Sequence, residues 1–300
     1  MDLSKLKLQC GIDTFEAVTD IELDEEPTGV RNMGTRPPCV EHGKQWRYKV
    51  TIDKYSGEDS GYNLDRVTAT IEDITRLFKA AGASELFISR LDIRFDNFTP
   101  KSYDHYYKLN QCLLSLLAYD LKIKNRYGSI DPITGELKSI CVGKNTNDQQ
   151  AEYYNKALQK SELGISARLE LRSIGEHFDL LHPSAQIKYF ADKWFKILGK
   201  AANKDVFKAL KADINNNIIS NYKPQMFSTV AEYLAYNSLH IYDPNQTGTI
   251  FKALDSAYQN NTAFYKNRPQ QQIITLADIM AYIDVLRQSA EGFFQANICS

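Results

Sequence analysis

The positions of apolar and polar residues along the chain predict most of its elements. From Trp46 to Tyr55 the two kinds alternate. Trp46, Tyr48, Val50 and Ile52 point one way, and Arg47, Lys49, Thr51 and Asp53 the other, as in a half-buried strand. Val67 to Ala81 has helical spacing through Ile71, Ile74, Leu77 and Phe78, with Gly82 as its C-terminal cap. Leu86 to Phe95 reads as a strand. Ser102 to Ala118 reads as a second helix, with Tyr106, Leu109, Leu113 and Leu116 on one side. Leu121 to Tyr127 is a further strand, and Asp131-Pro132 with Gly135 makes a turn. Ser139–Val142, Ala151–Lys156 and Ile165–Arg172 are three more strands. Residues 1–44 read as irregular or weakly stranded, with Pro37-Pro38 breaking any element.

Beyond His182-Pro183 the period changes. Ala185–Leu198, Lys204–Ile219, Met226–Tyr236 and Leu276–Phe293 are helical, interrupted at Asp243-Pro244, Gly248 and Pro269. The expected fold is α+β, a mainly antiparallel sheet with helices packed on one face, followed by a helical C-terminal module. The boundary falls near 178–184, dividing the chain into 1–180 and 181–300.

Composition narrows the class. The 300 residues are 43% hydrophobic and 24% charged, which excludes a disordered chain, a collagen-like repeat or a coiled-coil rod. A net charge of −1 speaks against a general polycation, but the charge is segregated. Residues 1–100 hold 13 basic and 18 acidic residues, and the remainder 23 and 19. Asp20, Glu22, Asp24, Glu25 and Glu26 form an acidic knot. Residues 185–224 hold eight Lys against three Asp. Three- and four-residue gaps place many of these lysines along a helix face, either solvated or in contact with phosphates.

The five cysteines are odd in number and form no CxxC pair, as expected of a reduced, cytoplasmic chain without a disulfide frame or zinc site. No apolar signal region follows Met1, and no stretch reaches the roughly 18 apolar residues of a membrane span.

Two strands carry the candidate chemistry. In Ser89–Asp96, Leu91, Ile93 and Phe95 face one side, and Arg90, Asp92, Arg94 and Asp96 the other. In Ser166–Arg172, Leu169 and Leu171 face in, and Arg168, Glu170 and Arg172 out. If the strands are neighbours, Asp92 and Glu170 approach on the open face of the sheet. Paired carboxylates on rigid strands suit Mg²⁺ or Mn²⁺, and flanking arginines suit an anionic substrate. The same pattern also suits cross-strand ion pairs on a solvated face. On a third strand Glu152, Tyr154 and Lys156 share a face while Tyr153 points away. A tyrosine hydroxyl can form a covalent phosphodiester intermediate. With 18 tyrosines in the chain, spacing alone does not single out Tyr154.

Residues 87–172 resemble a known family in four motifs that occur in the same order. Phe87-Ile88-Ser89-Arg90-Leu91-Asp92-Ile93-Arg94-Phe95-Asp96 resembles the "F-T-R-L-D-L-A-F-D" segment of trans-acting Rep proteins, the rolling-circle replication initiators of staphylococcal-type plasmids. Ser102-Tyr103-Asp104-His105-Tyr106-Tyr107 is similar to the start of that family's next segment. Val142-Gly143-Lys144-Asn145-Thr146-Asn147-Asp148 resembles "F-G-x-R-x-S-D" and leads into Tyr154-Asn155-Lys156, similar to "I-Y-N-K" around the nicking tyrosine. Arg168-Leu169-Glu170-Leu171 resembles the following "R-V-E-I-E-L" strand. Asn145 stands where the family has Arg, and no basic residue occurs near Gln149.

The resemblance implies a replication initiator that nicks one DNA strand at an origin and transfers it through a 5′-phosphotyrosine. Tyr154 would be the nucleophile. Lys156 and Arg168 would stabilise the phosphate. Asp92 and Glu170, with Asp96 as a helper, would hold Mg²⁺ or Mn²⁺. It further implies DNA contacts by Arg94 and Arg172 and by Lys193, Lys196, Lys200, Lys204 and Lys208. The implied partners are a hairpin or single-stranded origin site, a second copy of the chain and a host helicase, with no membrane. The His-hydrophobe-His pattern of other tyrosine nickases is missing from His42, His105, His177, His182 and His240. Two other readings remain open at this point: a non-catalytic origin-binding protein, and a metal-dependent nuclease that uses water.

Overall fold

The computed structural model describes residues 3–36, 44–100, 102–122, 126–130, 137–143, 149–157, 164–178, 182–206, 208–209 and 276–295. Its strands are β1 (Leu8–Thr19), β2 (Val30–Arg36), β3 (Gln45–Thr51), β4 (Leu86–Asn97), β5 (Arg126–Ile130), β6 (Leu137–Val142), β7 (Gln149–Asn155) and β8 (Ala167–Phe178). They form one sheet in the order β2-β3-β1-β4-β8-β7-β6-β5, and every pairing is antiparallel. The α+β, mainly antiparallel architecture is therefore as expected.

Residues 3–36 depart from expectation, while Pro37-Pro38 lies outside the described residues. β1 is a twelve-residue strand in the interior of the sheet, between β3 and β4. It escapes the alternation rule because its register against β4 shifts between Ile12 and Thr14 and again between Glu16 and Ala17. A bulge turns one residue out of step, so apolar positions on either side no longer keep a period of two. The strand expected over Trp46–Tyr55 stops at Thr51, and Ile52–Ser56 is a short helix, α1. The strand expected from Leu121 begins instead at Arg126, because helix α3 (Ser102–Asp120) runs up to it. The turn at 131–135 and the helices expected over 226–236 and most of 204–219 lie outside the described residues.

Helix α2 (Leu64–Ala80) starts on Asn63, whose side chain accepts from the Asp65 and Arg66 amides. It ends with the Gly82 amide on the Lys79 carbonyl and the Ala83 amide on that of Phe78. Gly82 takes φ +96°, a left-handed conformation that glycine adopts without steric cost. One face of the sheet is apolar. Leu91, Ile93 and Phe95 of β4 and Leu169 and Leu171 of β8 are buried there.

Helices α4 (Pro183–Ala201) and α5 (Leu276–Gln295) pack in this same core. Trp194 donates from Nε1 to Ser173 Oγ at 3.1 Å, and Phe195 meets Phe95 edge-on at 6.2 Å. Tyr282 donates to Asn110 Oδ1 of α3 at 3.1 Å. Each fully buried large side chain contributes about 2 kcal/mol. The described helices beyond residue 182 thus share a core with the sheet, and the division at 178–184 remains an expectation about the rest of the chain. No described helix is long and apolar enough to cross a membrane.

Candidate active site on the charged face of the sheet

The other face of the same strands carries Asp92, Arg94, Asp96, Arg168, Glu170, Tyr154 and Lys156. The sequence suggests an open, solvated surface. Instead Asp92, Arg94, Asp96, Arg168 and Glu170 are each at most 4% exposed. Over Arg94 and Asp96 the cover is a tight turn, Ser60–Tyr62, which follows α1. Gly61 lies so close to β1 that an added Cβ would stand 2.2 Å from the Ile12 carbonyl oxygen and 2.8 Å from Arg94 Nη2. Its amide donates to Asp53 Oδ1 at 2.8 Å. Tyr62 lays its ring over the Arg94 guanidinium, 4.1 Å from the centroid.

Charges buried in this way need partners, and the face supplies them. Asp96 and Arg168 are directly opposite in the β4–β8 register. They form a bidentate pair, with Nε to Oδ1 at 2.5 Å and Nη2 to Oδ2 at 2.8 Å. Arg168 Nη1 also reaches Asp13 Oδ1 at 2.5 Å. Arg94 Nη1 pairs with Asp53 at 2.5 Å and with Asp13 at 3.3 Å. Arg90 grips Asp92 with two bonds of 2.7 and 2.5 Å. Arg172 is ringed by three carboxylates: Glu152 at 2.8 Å, Asp92 at 3.6 Å, and Glu170.

Tyr154 sits among these groups. Its neighbour Tyr153 is buried in the apolar core, so alternation sends Tyr154 to the charged face. There its hydroxyl donates to Glu170 Oε1 at 2.5 Å. Arg168 Nη1 lies 3.6 Å from the same oxygen. Lys156 Nζ lies 5.5 Å from the Tyr154 ring centroid. Burial and then the Glu170 charge push the phenol pKa above its ordinary value. Burial and then Arg168 lower that of Lys156. Burial raises Asp92, with Glu170 adding to it against the pull of Arg90.

Strand pairing brings Asp92, Glu170, Asp96, Tyr154, Lys156, Arg168, Arg94 and Arg172 to one face, as the sequence suggests. Asp13, Asp53 and Tyr62 join them without having been read from the sequence. Asp13 is the extra residue of the β1 bulge. Tyr62 donates to Asp96 Oδ2 at 2.5 Å. The lysines lie elsewhere. Trp194 and Phe195 fix α4 on the apolar face, so Lys196 and Lys200 are exposed on the far side of the sheet from Tyr154. Lys193 there is half-buried, and Lys204 and Lys208 just beyond the helix are exposed.

In this arrangement the expected metal ligands are each engaged by other side chains. Asp92 is held by Arg90, Asp96 by Arg168 and Tyr62, and Glu170 by Tyr154 and Arg172. Among the described residues no group of three or more His, Cys, Asp and Glu side chains is placed to hold a metal ion.

Fold and site together define an antiparallel α+β domain with a tyrosine held on a carboxylate inside a buried, arginine-rich network. No protein-family model matches the chain, and no curated protein matches it. Among solved structures, it is similar to a rolling circle replication initiator protein from Geobacillus stearothermophilus. The identity is 13% and the TM-score 0.32, over 81% of this chain and 96% of that one.

Proposed function

We propose that the chain is a DNA nickase and strand transferase that works through a phosphotyrosine at Tyr154, in the role of a rolling-circle replication initiator. The observation that carries this reading is the hydrogen bond from Tyr154 to Glu170, set between Arg168 and Lys156. A phenol whose pKa is raised needs a proton acceptor already in contact, and Glu170 is that acceptor.

In the step proposed, Tyr154 Oη attacks the phosphorus of a phosphodiester and its proton passes to Glu170. The P–O3′ bond breaks, and the 3′ oxygen leaves with a proton from Lys156. Arg168 offers fixed positive charge where the phosphate gains charge in the transition state. Asp92 and Glu170 would hold Mg²⁺ or Mn²⁺, which would add further charge stabilisation at the phosphate. The four motifs in Rep-like order support the same assignment.

The test is a covalent adduct. The full chain is incubated with a supercoiled plasmid carrying its own coding sequence and flanking DNA, in Mn²⁺ and separately in EDTA. Protein–DNA species that survive SDS are digested and mapped. The expected result is a nucleotide-bearing tryptic peptide 145–156, lost in Tyr154→Phe and kept in Tyr153→Phe. Nicking without any adduct would point to a water-using nuclease and overturn the tyrosine mechanism.

One observation favours a second reading. Asp92, Asp53, Asp96, Glu170, Asp13 and Glu152 each already have an arginine partner, as a purely structural ion-pair network requires. The chain would then be an origin-binding protein without chemistry, and the plasmid would be bound but neither cut nor labelled.

A further inference from the structure

Tyr154 is not the only tyrosine on this face with a carboxylate in contact. Tyr62 donates to Asp96 Oδ2 at 2.5 Å, the same distance at which Tyr154 donates to Glu170 Oε1. The two pairs share one guanidinium. Arg168 binds Asp96 through Nε and Nη2, and through Nη1 it lies 3.6 Å from Glu170. The series runs tyrosine, carboxylate, arginine, carboxylate, tyrosine.

Asp96 does not depend on the Tyr62 hydroxyl for its pairing. Asp96 already has a bidentate arginine, the strongest common partner for a carboxylate. The ring alone would serve to cover Arg94. The turn that carries Tyr62 is nonetheless firmly held. Gly61 donates to Asp53, Ser60 Oγ donates to the Ser56 carbonyl at 2.8 Å, and an added Cβ on Gly11 would meet the Tyr62 ring at 2.8 Å. A tyrosine fixed on a turn above the sheet, with its proton directed to a buried carboxylate, is built as Tyr154 is built.

We propose that Tyr62 is a second strand-transfer nucleophile, with Asp96 as its proton acceptor, acting on a second DNA phosphodiester while Tyr154 still holds the first 5′ phosphate. The proposal rests on the Tyr154 reading above. Tyr62 Oη attacks phosphorus, Asp96 takes the phenol proton, and the P–O3′ bond of the second site breaks. The freed 3′ oxygen attacks the phosphorus on Tyr154, and the P–O bond to Tyr154 breaks. Tyr154 recovers its proton from Glu170. One phosphodiester is remade, one 5′ phosphate now sits on Tyr62, and no water or oxidant is consumed. A single chain could thus both open and close a strand.

The experiment uses the full-length chain and an oligonucleotide recovered as an adduct from a random single-stranded DNA pool. The isolated adduct on Tyr154 receives a second copy of that oligonucleotide carrying a different dye. The expected products are a hybrid strand and the second dye on Tyr62, in tryptic peptide 55–66. In Tyr62→Phe the ratio of hybrid strand to Tyr154 adduct falls by about 100-fold or more. The wild-type peptide map is decisive whether or not that variant folds. Hybrid strand with the second dye on Tyr154, or on no tyrosine, overturns the role of Tyr62 and leaves that of Tyr154 standing. A first adduct that never forms on Tyr154 overturns both.

Discussion

Asp13 on β1 and Arg168 on β8 are joined at 2.5 Å across the intervening strand β4. The bulge makes this possible, because it aims Asp13 at the charged face and out of step with its strand. Burial works against ionisation of Asp13, but Arg168 and then Arg94 outweigh it and hold the carboxyl below its ordinary pKa. Above the unfolded value of about 3.9 the pairing stabilises the fold in full, and it is lost as pH falls through the folded pKa. Asp13→Asn should therefore cost of order 2 kcal/mol at neutral pH. Arg168 keeps Asp96 and Asp13 is 21% exposed, which limits the loss. The gap between variant and wild type should narrow below about pH 4. Urea midpoints across pH measure this, and a constant gap would contradict it.

Arg172 stands among Asp92, Glu152 and Glu170. Arg172→Ala leaves three acidic groups facing one another and should cost about 3 kcal/mol. Oxygen donors left in this way suit a hard divalent cation. Millimolar Mn²⁺ should raise the melting temperature of the variant more than that of wild type. Equal shifts in both would show that the three carboxylates do not converge once the guanidinium is gone.

Gly61 and Gly199 make a matched pair of stability probes. Gly61→Ala forces a methyl against the Ile12 carbonyl and should cost about 3 kcal/mol. Gly199 lies in α4 with open space around its Cβ position, and Gly199→Ala should add about 0.5 kcal/mol. Denaturant midpoints of the two variants should move in opposite directions.

Lys196 and Lys200 are exposed on the far side of the sheet from Tyr154, and Lys204 and Lys208 are exposed just beyond that helix. If they track duplex backbone, replacing all four with Ala should lower the salt-dependence slope of duplex binding by about 3 to 4. Adduct formation on a short single strand should not change. A lower yield of adduct would place those lysines at the chemistry.

Strand pattern alone revealed the acid–base rows of β4 and β8, because both strands keep a strict period of two where it matters. It also separated Tyr153 from Tyr154. It could not show that the charged face is buried, since the covering turn at 60–62 has no periodicity. Nor could it find Asp13, whose bulge disrupts the alternation and whose partner lies 155 residues away. Tyr62 was one among 18 tyrosines until the fold set its hydroxyl on Asp96. Asp53 looked like the polar side of a strand, but sits in the short helix after the strand has ended.

The sheet is a partition. Its charged side holds Tyr62 and Tyr154, and its other side carries α4 with Lys196 and Lys200, so under the proposed function a straight rod of DNA would not reach both sets. A nucleic acid engaged by the whole molecule has to turn a corner around an edge of the sheet, at β2 or at β5. Alternatively, it divides, with a melted strand on one side and duplex on the other. For a nickase this separation has a use. If the chain acts as proposed, a grip on duplex by those lysines would persist while the cut strand comes and goes, because release at one surface requires nothing of the other.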